Sequence, residues 1–200
     1  MDVLLIISAA IEKHLARIIS MTTTKRIVLV LACAIFYYFV FYFNQLLFDT
    51  YEFSYGVNWI FIPSGFQLLL VLTAIFDGAI GIVLASFIIG LESYYLDSVG
   101  RTFITALISG GAPLLARKIC FDFLNIDKEL TKITPKAILQ MSVVFALISA
   151  TLHQLWFFFN GKSDAFVQSL LVMALGNLLG TALVLTTIRL LTSKIKTLRL

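Results

Sequence analysis

The chain has 200 residues, of which 60% are hydrophobic and only 13% charged, and it carries a formal net charge of +4. A soluble domain has about 25% charged and about 45–50% apolar residues, so this composition excludes an ordinary water-soluble fold and points to a polytopic protein whose apolar surface is covered by a lipid bilayer. The basic excess does not indicate a nucleic-acid partner, because Lys and Arg fall between apolar runs, where they set orientation and meet anionic headgroups.

Residues 1–24 read as a segment on the cytoplasmic face. Val3, Leu4, Ile7, Ile11, Leu15 and Ile18 fall near one helical stripe, while Glu12, Lys13 and Arg17 form a polar patch. That run is too charged to span, and the spacing predicts an amphipathic helix lying on the inner surface. Its basic residues follow the apolar start, the reverse of a secretory signal, so no cleavable leader is expected.

A crossing helix needs about 20 apolar residues, because ~30 Å of hydrocarbon is traversed at ~1.5 Å per residue. Six runs meet this requirement: 27–48, 57–76, 79–96, 102–120, 135–159 and 165–191. Only Asp77 and Gly78 separate the second run from the third, which predicts a tight helical hairpin. The fourth and fifth are joined by a longer segment, residues 117–136, part of which reads as a short interfacial helix. The expected fold is therefore all-α, a bundle of six transmembrane helices over 25–192, with a basic cytoplasmic tail over 193–200.

The charge pattern orients this bundle. With the N-terminus inside, thirteen of the fifteen Lys and Arg residues are cytoplasmic, and only Arg101 and Lys162 lie outside. Such a bias follows the positive-inside rule and requires an even number of crossings, with both termini cytoplasmic. The expected location is a cell inner membrane.

Residues able to carry a function are few. The loop before the second run reads YEFSYGVNWIFIPSGF. Trp59, Tyr51 and Tyr55 suit an interfacial aromatic belt. Pro63 lacks an amide hydrogen, and Ser64 and Gly65 add small surfaces and free backbone groups. Broken helices are tolerated in lipid only beside protein or a water-filled cavity. Two readings stay open: a shallow outward pocket for a small ligand, or a helix that starts at Pro63 after a re-entrant loop. Gln67, His153 and Gln154 either line that pocket with Trp59 or hydrogen-bond between helices. A histidine in such a pocket could sense pH.

Asp77, at the hairpin tip, reads as a turn and cap residue. Gly81 and Ala85 on the third run, Gly110 and Gly111 on the fourth, and Gly176, Asn177 and Gly180 on the sixth occur at helix-packing spacing, for internal packing or for a homo-oligomer. Cys33 and Cys120 have no CxxC spacing, and no HExxH or Ser/His/Asp set is present. No metal, cofactor or enzymatic activity is expected.

The stretch WIFIPSGFQLLL from Trp59, followed by GAIGIVLASF from Gly78, resembles the MASE1 family of bacterial integral membrane sensor domains. That family carries a Trp/Pro/Gly element opening an early helix, then a glycine-containing hairpin and a small-residue helix. Its last helix often carries a G-D-x-x-G element, where this chain reads GNLLG, Gly176 to Gly180, with Asn177 in the acidic position. The resemblance covers roughly residues 25–192 and implies a sensory input module. Such modules usually precede an output domain. None follows Leu200, so a membrane or cytoplasmic protein partner is expected to receive the signal.

Two alternatives are a structural or assembly subunit of a larger membrane complex, and a substrate-binding component of a vitamin importer. The latter is of similar size and helix number, but Ala32 and Ala34 do not give the i, i+4, i+8 alanine spacing on the first helix that docks a transport partner.

Overall fold

The computed structural model describes residues 21–94, 98–124, 126, 134–163 and 165–197. The expected amphipathic helix lies outside these residues up to position 20, as does most of the expected interfacial helix between 124 and 134. The described chain is almost entirely helical: α1 (Thr23–Phe48), α2 (Pro63–Ile89), α3 (Val99–Phe123), α4 (Pro135–Phe159) and α5 (Phe166–Thr197). Among the described residues, five helices are long and apolar enough to cross a membrane.

Local chemistry explains where the helices begin. Pro63 and Pro135 open α2 and α4, where a missing amide hydrogen costs nothing and a fixed φ helps. The Ser98 and Thr134 side chains cap α3 and α4 by accepting from the amides of Arg101 (3.4 Å) and Ala137 (3.1 Å). α5 runs on to Thr197, past the end expected near 191.

α2 departs most from a regular helix. Ile75 has φ 47° and ψ −113°, a conformation rare for a β-branched residue. Leu70 and Gly78 would lie about 12 Å apart on an uninterrupted helix. Instead, a Cβ on Gly78 would run into the Leu70 carbonyl oxygen. The helix therefore folds back at Ile75, two residues ahead of the Asp77–Gly78 pair, and Gly78 lets the two arms touch. Thr73 Oγ1 donates to the Leu69 carbonyl at 2.7 Å, a side-chain bond inside the last turn of the first arm.

α1 packs along both arms. Ile62, just before the first arm, donates its amide to Asn44 Oδ1 on α1 (2.8 Å), and Gln67 reaches Tyr37. The second arm then runs parallel to α1. Arg26 meets Asp77 at 2.8 Å, Gly81 abuts Cys33 and Val30, and the hydroxyls of Tyr38 and Tyr42 donate to Glu92 Oε2 at 3.0 and 2.7 Å. Beyond α1, the elements close a ring, with α2 on α3, α3 on α4, α4 on α5 and α5 back on α2.

The outer surface is apolar. Leu171, Leu175, Leu179 and Leu183 form an exposed i, i+4 stripe on α5, as do Ile80, Leu84 and Ile88 on the second arm of α2. Continuous apolar stripes of this kind are stable against hydrocarbon and not against water, so this is a membrane protein.

One small non-helical element was not expected. Strands β1 (Glu52–Ser54) and β2 (Val57–Asn58) form an antiparallel hairpin between α1 and α2. Gly56 takes φ 66° at its turn, and its amide donates to Glu52 Oε1 at 2.8 Å. A short strap, residues 59–62, bends into a turn that leads into α2 and lies against α5.

Candidate functional site

Beside the hairpin turn, the helices line an open cavity of about 80 Å³. By this measure a single water needs roughly 10–15 Å³, so the space suits a small molecule or a group of waters. α1 contributes Tyr37 and Phe41. α2 contributes Gln67 from its first arm and Ser86 and Ile89 from its second. α3 contributes Thr105 and Ser109, α4 contributes Ser149, His153 and Phe157, and α5 contributes Met173 and Asn177. Tyr55 and Gly56 at the hairpin turn, with Asn58 and Phe61 of the following segment, complete the wall. No described lining residue is Asp, Glu, Lys or Arg.

The polar groups of the wall are held in place by one another. Pro113 lies inside α3 and supplies no amide hydrogen, so the Ser109 carbonyl one turn earlier is left without its usual helical donor. Gln67 Nε2 reaches that carbonyl at 3.5 Å and donates to Tyr37 Oη at 2.8 Å. His153 Nδ1 lies 2.9 Å from the Ser149 carbonyl, which can only accept, so this nitrogen carries the hydrogen. Nε2 lies 3.3 Å from Ser109 Oγ, whose single hydrogen also reaches the Thr105 carbonyl at 3.1 Å. Trp156 Nε1 donates to Thr105 Oγ1 at 2.9 Å and fixes α4 to α3. Not every polar group of the wall is used in this way. Asn177 is 2% exposed, and its Nδ2 is buried without a hydrogen-bond partner.

Of the seven residues expected to form an outward pocket, Gln67 and His153 line the cavity. The other five sit around it. Trp59 is exposed and stacks edge-on against Phe53 of the hairpin. Pro63 and Ser64 are buried at the start of α2, where the Ser64 hydroxyl lies 2.7 Å from the carbonyls of both Phe61 and Asn177. Gly65 faces α5, where a Cβ would come within 2.8 Å of Val184. Gln154 is fully buried, with Nε2 on Met173 Sδ (3.6 Å) and Oε1 accepting from Ser163 (3.1 Å), a tether between α4, α5 and their connecting loop.

The small residues expected at packing faces also divide. Gly81 receives α1, and Gly110 receives Val83 and the Ala79 carbonyl of α2. Ala85 is buried in the cluster that holds Tyr37 and Phe41. Gly111 has nothing within 4 Å of its Cβ position. Gly176 and Gly180 receive the backbone around the strap and not another helix. The carbonyl oxygens of Asn58 and Phe61 occupy the places their Cβ atoms would take. The Phe61 amide donates to the Gly176 carbonyl at 3.1 Å. Asn177, between these glycines, joins the cavity wall.

Sequence reasoning did not single out Tyr37, Ser109, Ser149 or Met173 for the site. The one available signal was Pro113, because an interior helical proline marks an unpaired carbonyl four residues earlier. No protein-family model, no curated protein and no solved structure matches the chain.

Proposed function

We propose that this protein is a membrane-embedded receptor module that binds a small molecule from the outer side without transforming it and passes the event to a protein partner. The carrying observation is the cavity, bordered by the Tyr55–Gly56 turn and lined by neutral polar groups, several of them bonded to one another. The resemblance of the Trp59–Gly65 and Gly176–Gly180 elements to a sensory family points the same way.

In this reading the chain crosses six times, with both termini cytoplasmic. The two arms of α2 count separately. The first arm and the turn after it bond to α1 at Asn44 and Arg26, eighteen residues or about 27 Å apart along α1, close to the ~30 Å of a bilayer core, while the helical arm from Pro63 to Ile75 itself rises about 18 Å. The hairpin end, with Lys162, faces outward, and the end with Arg26, Arg117 and Lys118 faces the cytoplasm.

A second reading, the substrate-binding component of an importer, is favoured by the same turn bordering a cavity in a bundle of this size. Extraction in mild detergent tests both. A small molecule retained by the wild type at near one per chain, and lost from a folded Ser86→Leu variant that fills the cavity, is the expected result. Identical extracts from the two proteins would refute small-molecule binding. A co-purified ATPase pair would favour the importer, and a kinase or cyclase the receptor. Cysteines placed at Lys118 and Lys162 and labelled from each side of the membrane check the orientation.

A further inference from the structure

A carboxylate stands on the apolar outer surface, away from the cavity lining. α2 continues past Ile89 into a wider π-type turn, Gly90–Tyr94. Such turns recur at functional sites. Glu92 lies in this turn, four residues beyond Ile88, and so extends the exposed stripe of Ile80, Leu84 and Ile88 toward the hairpin end of the bundle. Glu92 is itself exposed. From α1, the hydroxyls of Tyr38 and Tyr42 both donate to its Oε2, at 3.0 and 2.7 Å.

These two bonds fix the depth of the carboxylate. Tyr38 and Tyr42 lie about 18 and 24 Å along α1 from Arg26, and Asn44 lies at about 27 Å. Glu92 is thus held just inside the hairpin-side edge of the ~30 Å hydrocarbon core, and reaching further outward would give up both tyrosines. An ionisable group in such a place is costly unless something pairs with it. Among the described residues, no Lys or Arg forms an ion pair with Glu92, and its Oε1 has no hydrogen-bond partner.

The cluster is rich in acceptors. Each tyrosine hydroxyl places its one hydrogen on Glu92 and keeps lone pairs, and Oε1 can only accept. With the Tyr42 hydrogen so placed, Ser93 Oγ at 3.4 Å is the donor to Tyr42 and keeps its own lone pairs. What complements such a group is a cation with several N–H donors. A primary ammonium has three, and a quaternary ammonium has none. A lipid headgroup brings that cation to this edge of the membrane. Below Glu92 the stripe runs about 18 Å to Ile80, enough for the chain of one leaflet, half of the ~30 Å core. A lysine on a partner helix offers the same donors, but the interfacial depth favours the headgroup.

We propose that Glu92, Tyr38 and Tyr42 form a binding site for a lipid whose headgroup carries a primary ammonium, in the leaflet on the hairpin side.

The test exchanges the purified protein into mixed micelles with equal amounts of dioleoyl phosphatidylethanolamine, phosphatidylcholine and phosphatidylglycerol. Native mass spectrometry then counts the lipid retained. The wild type is expected to keep phosphatidylethanolamine over each of the others by about fivefold, the scale of an ion pair near the surface. Glu92→Gln, which leaves an oxygen for the tyrosines but no charge, should erase this preference. Asp49→Asn, an exposed acid elsewhere on the hairpin side, should leave it intact. Equal retention of phosphatidylethanolamine and phosphatidylcholine by the wild type would overturn the site, and that comparison needs no variant to fold. An unchanged preference in Glu92→Gln, or its loss in Asp49→Asn, would overturn it as well. Displacement of the lipid by soluble ethanolamine would assign the cluster to a free amine and sink the lipid assignment. The cavity and its proposed ligand are untouched by any of these outcomes, because Glu92 does not line it.

Discussion

Two glycines that look alike in the sequence should respond in opposite ways to a single methyl group. A Cβ on Gly180 would coincide with the Phe61 carbonyl oxygen and stand 2.8 Å from the Ile62 nitrogen. Neither atom belongs to a flexible side chain, so the strap itself must move by about an ångström. Overpacking of this kind costs about 1–3 kcal/mol. Part of this is offset, since alanine gains roughly 0.5–1 kcal/mol over glycine within a helix. Gly111 has nothing within 4 Å of its Cβ position and keeps the helix gain alone. Gly180→Ala is therefore expected to destabilise by about 1–2 kcal/mol net and Gly111→Ala to stabilise by about 0.5 kcal/mol.

The native thiols supply the assay. Cys33 and Cys120 are both free and buried, so a fluorogenic maleimide reports their exposure as detergent-solubilised protein is heated. A Gly180→Ala protein that melts at or above the wild type, or two variants that shift in the same direction, would refute the reasoning that the strap is seated on bare backbone.

The Tyr37–Gln67 hydrogen bond (2.8 Å) joins two nearly fully buried groups, so Tyr37→Phe and Gln67→Leu should each cost about 1–3 kcal/mol. The double variant should cost less than their sum, and a double-mutant cycle by the same melting assay measures the coupling. At the other end of the bundle, the Asp77 side chain is 4% exposed and its partner Arg26 is 50% exposed. Arg26→Met strands a buried carboxylate, whereas Asp77→Asn leaves the arginine free to reach water. The first should therefore destabilise more than the second, and adding Asp77→Asn to Arg26→Met should recover part of the loss. Equal effects from the two single variants would count against a buried Asp77.

Hydropathy made most of the helices legible, because a bilayer demands long apolar runs whatever their neighbours do. Pro63 and Pro135 marked two helix starts for a local reason, the missing amide hydrogen. The reversal at Ile75 left no such trace. Asp77 and Gly78 are the residues that look like a turn, yet the positive φ falls on an isoleucine. The hairpin over 52–58 was hidden because strands of three and two residues carry too little alternation to read. The site was legible in part. Gln67 and His153 stood out as polar groups in apolar runs. Tyr37 and Ser109 did not, because their importance comes from which helices are adjacent, and register between helices is not encoded locally. Asn177 was visible between two glycines, but its side chain and theirs turned out to serve different neighbours.

The seating of the strap on Gly176 and Gly180 also sets an order of assembly. The strap is synthesised more than a hundred residues before the helix that receives it. Until α5 arrives, the Phe61 amide has no Gly176 carbonyl to bond, and the Ser64 hydroxyl has only one of its two acceptors. Polar backbone without partners is poorly tolerated in hydrocarbon. The early part of the bundle must then wait in a loosened form or shelter in the insertion machinery. Insertion of α5 fastens the strap and closes the ring in a single step.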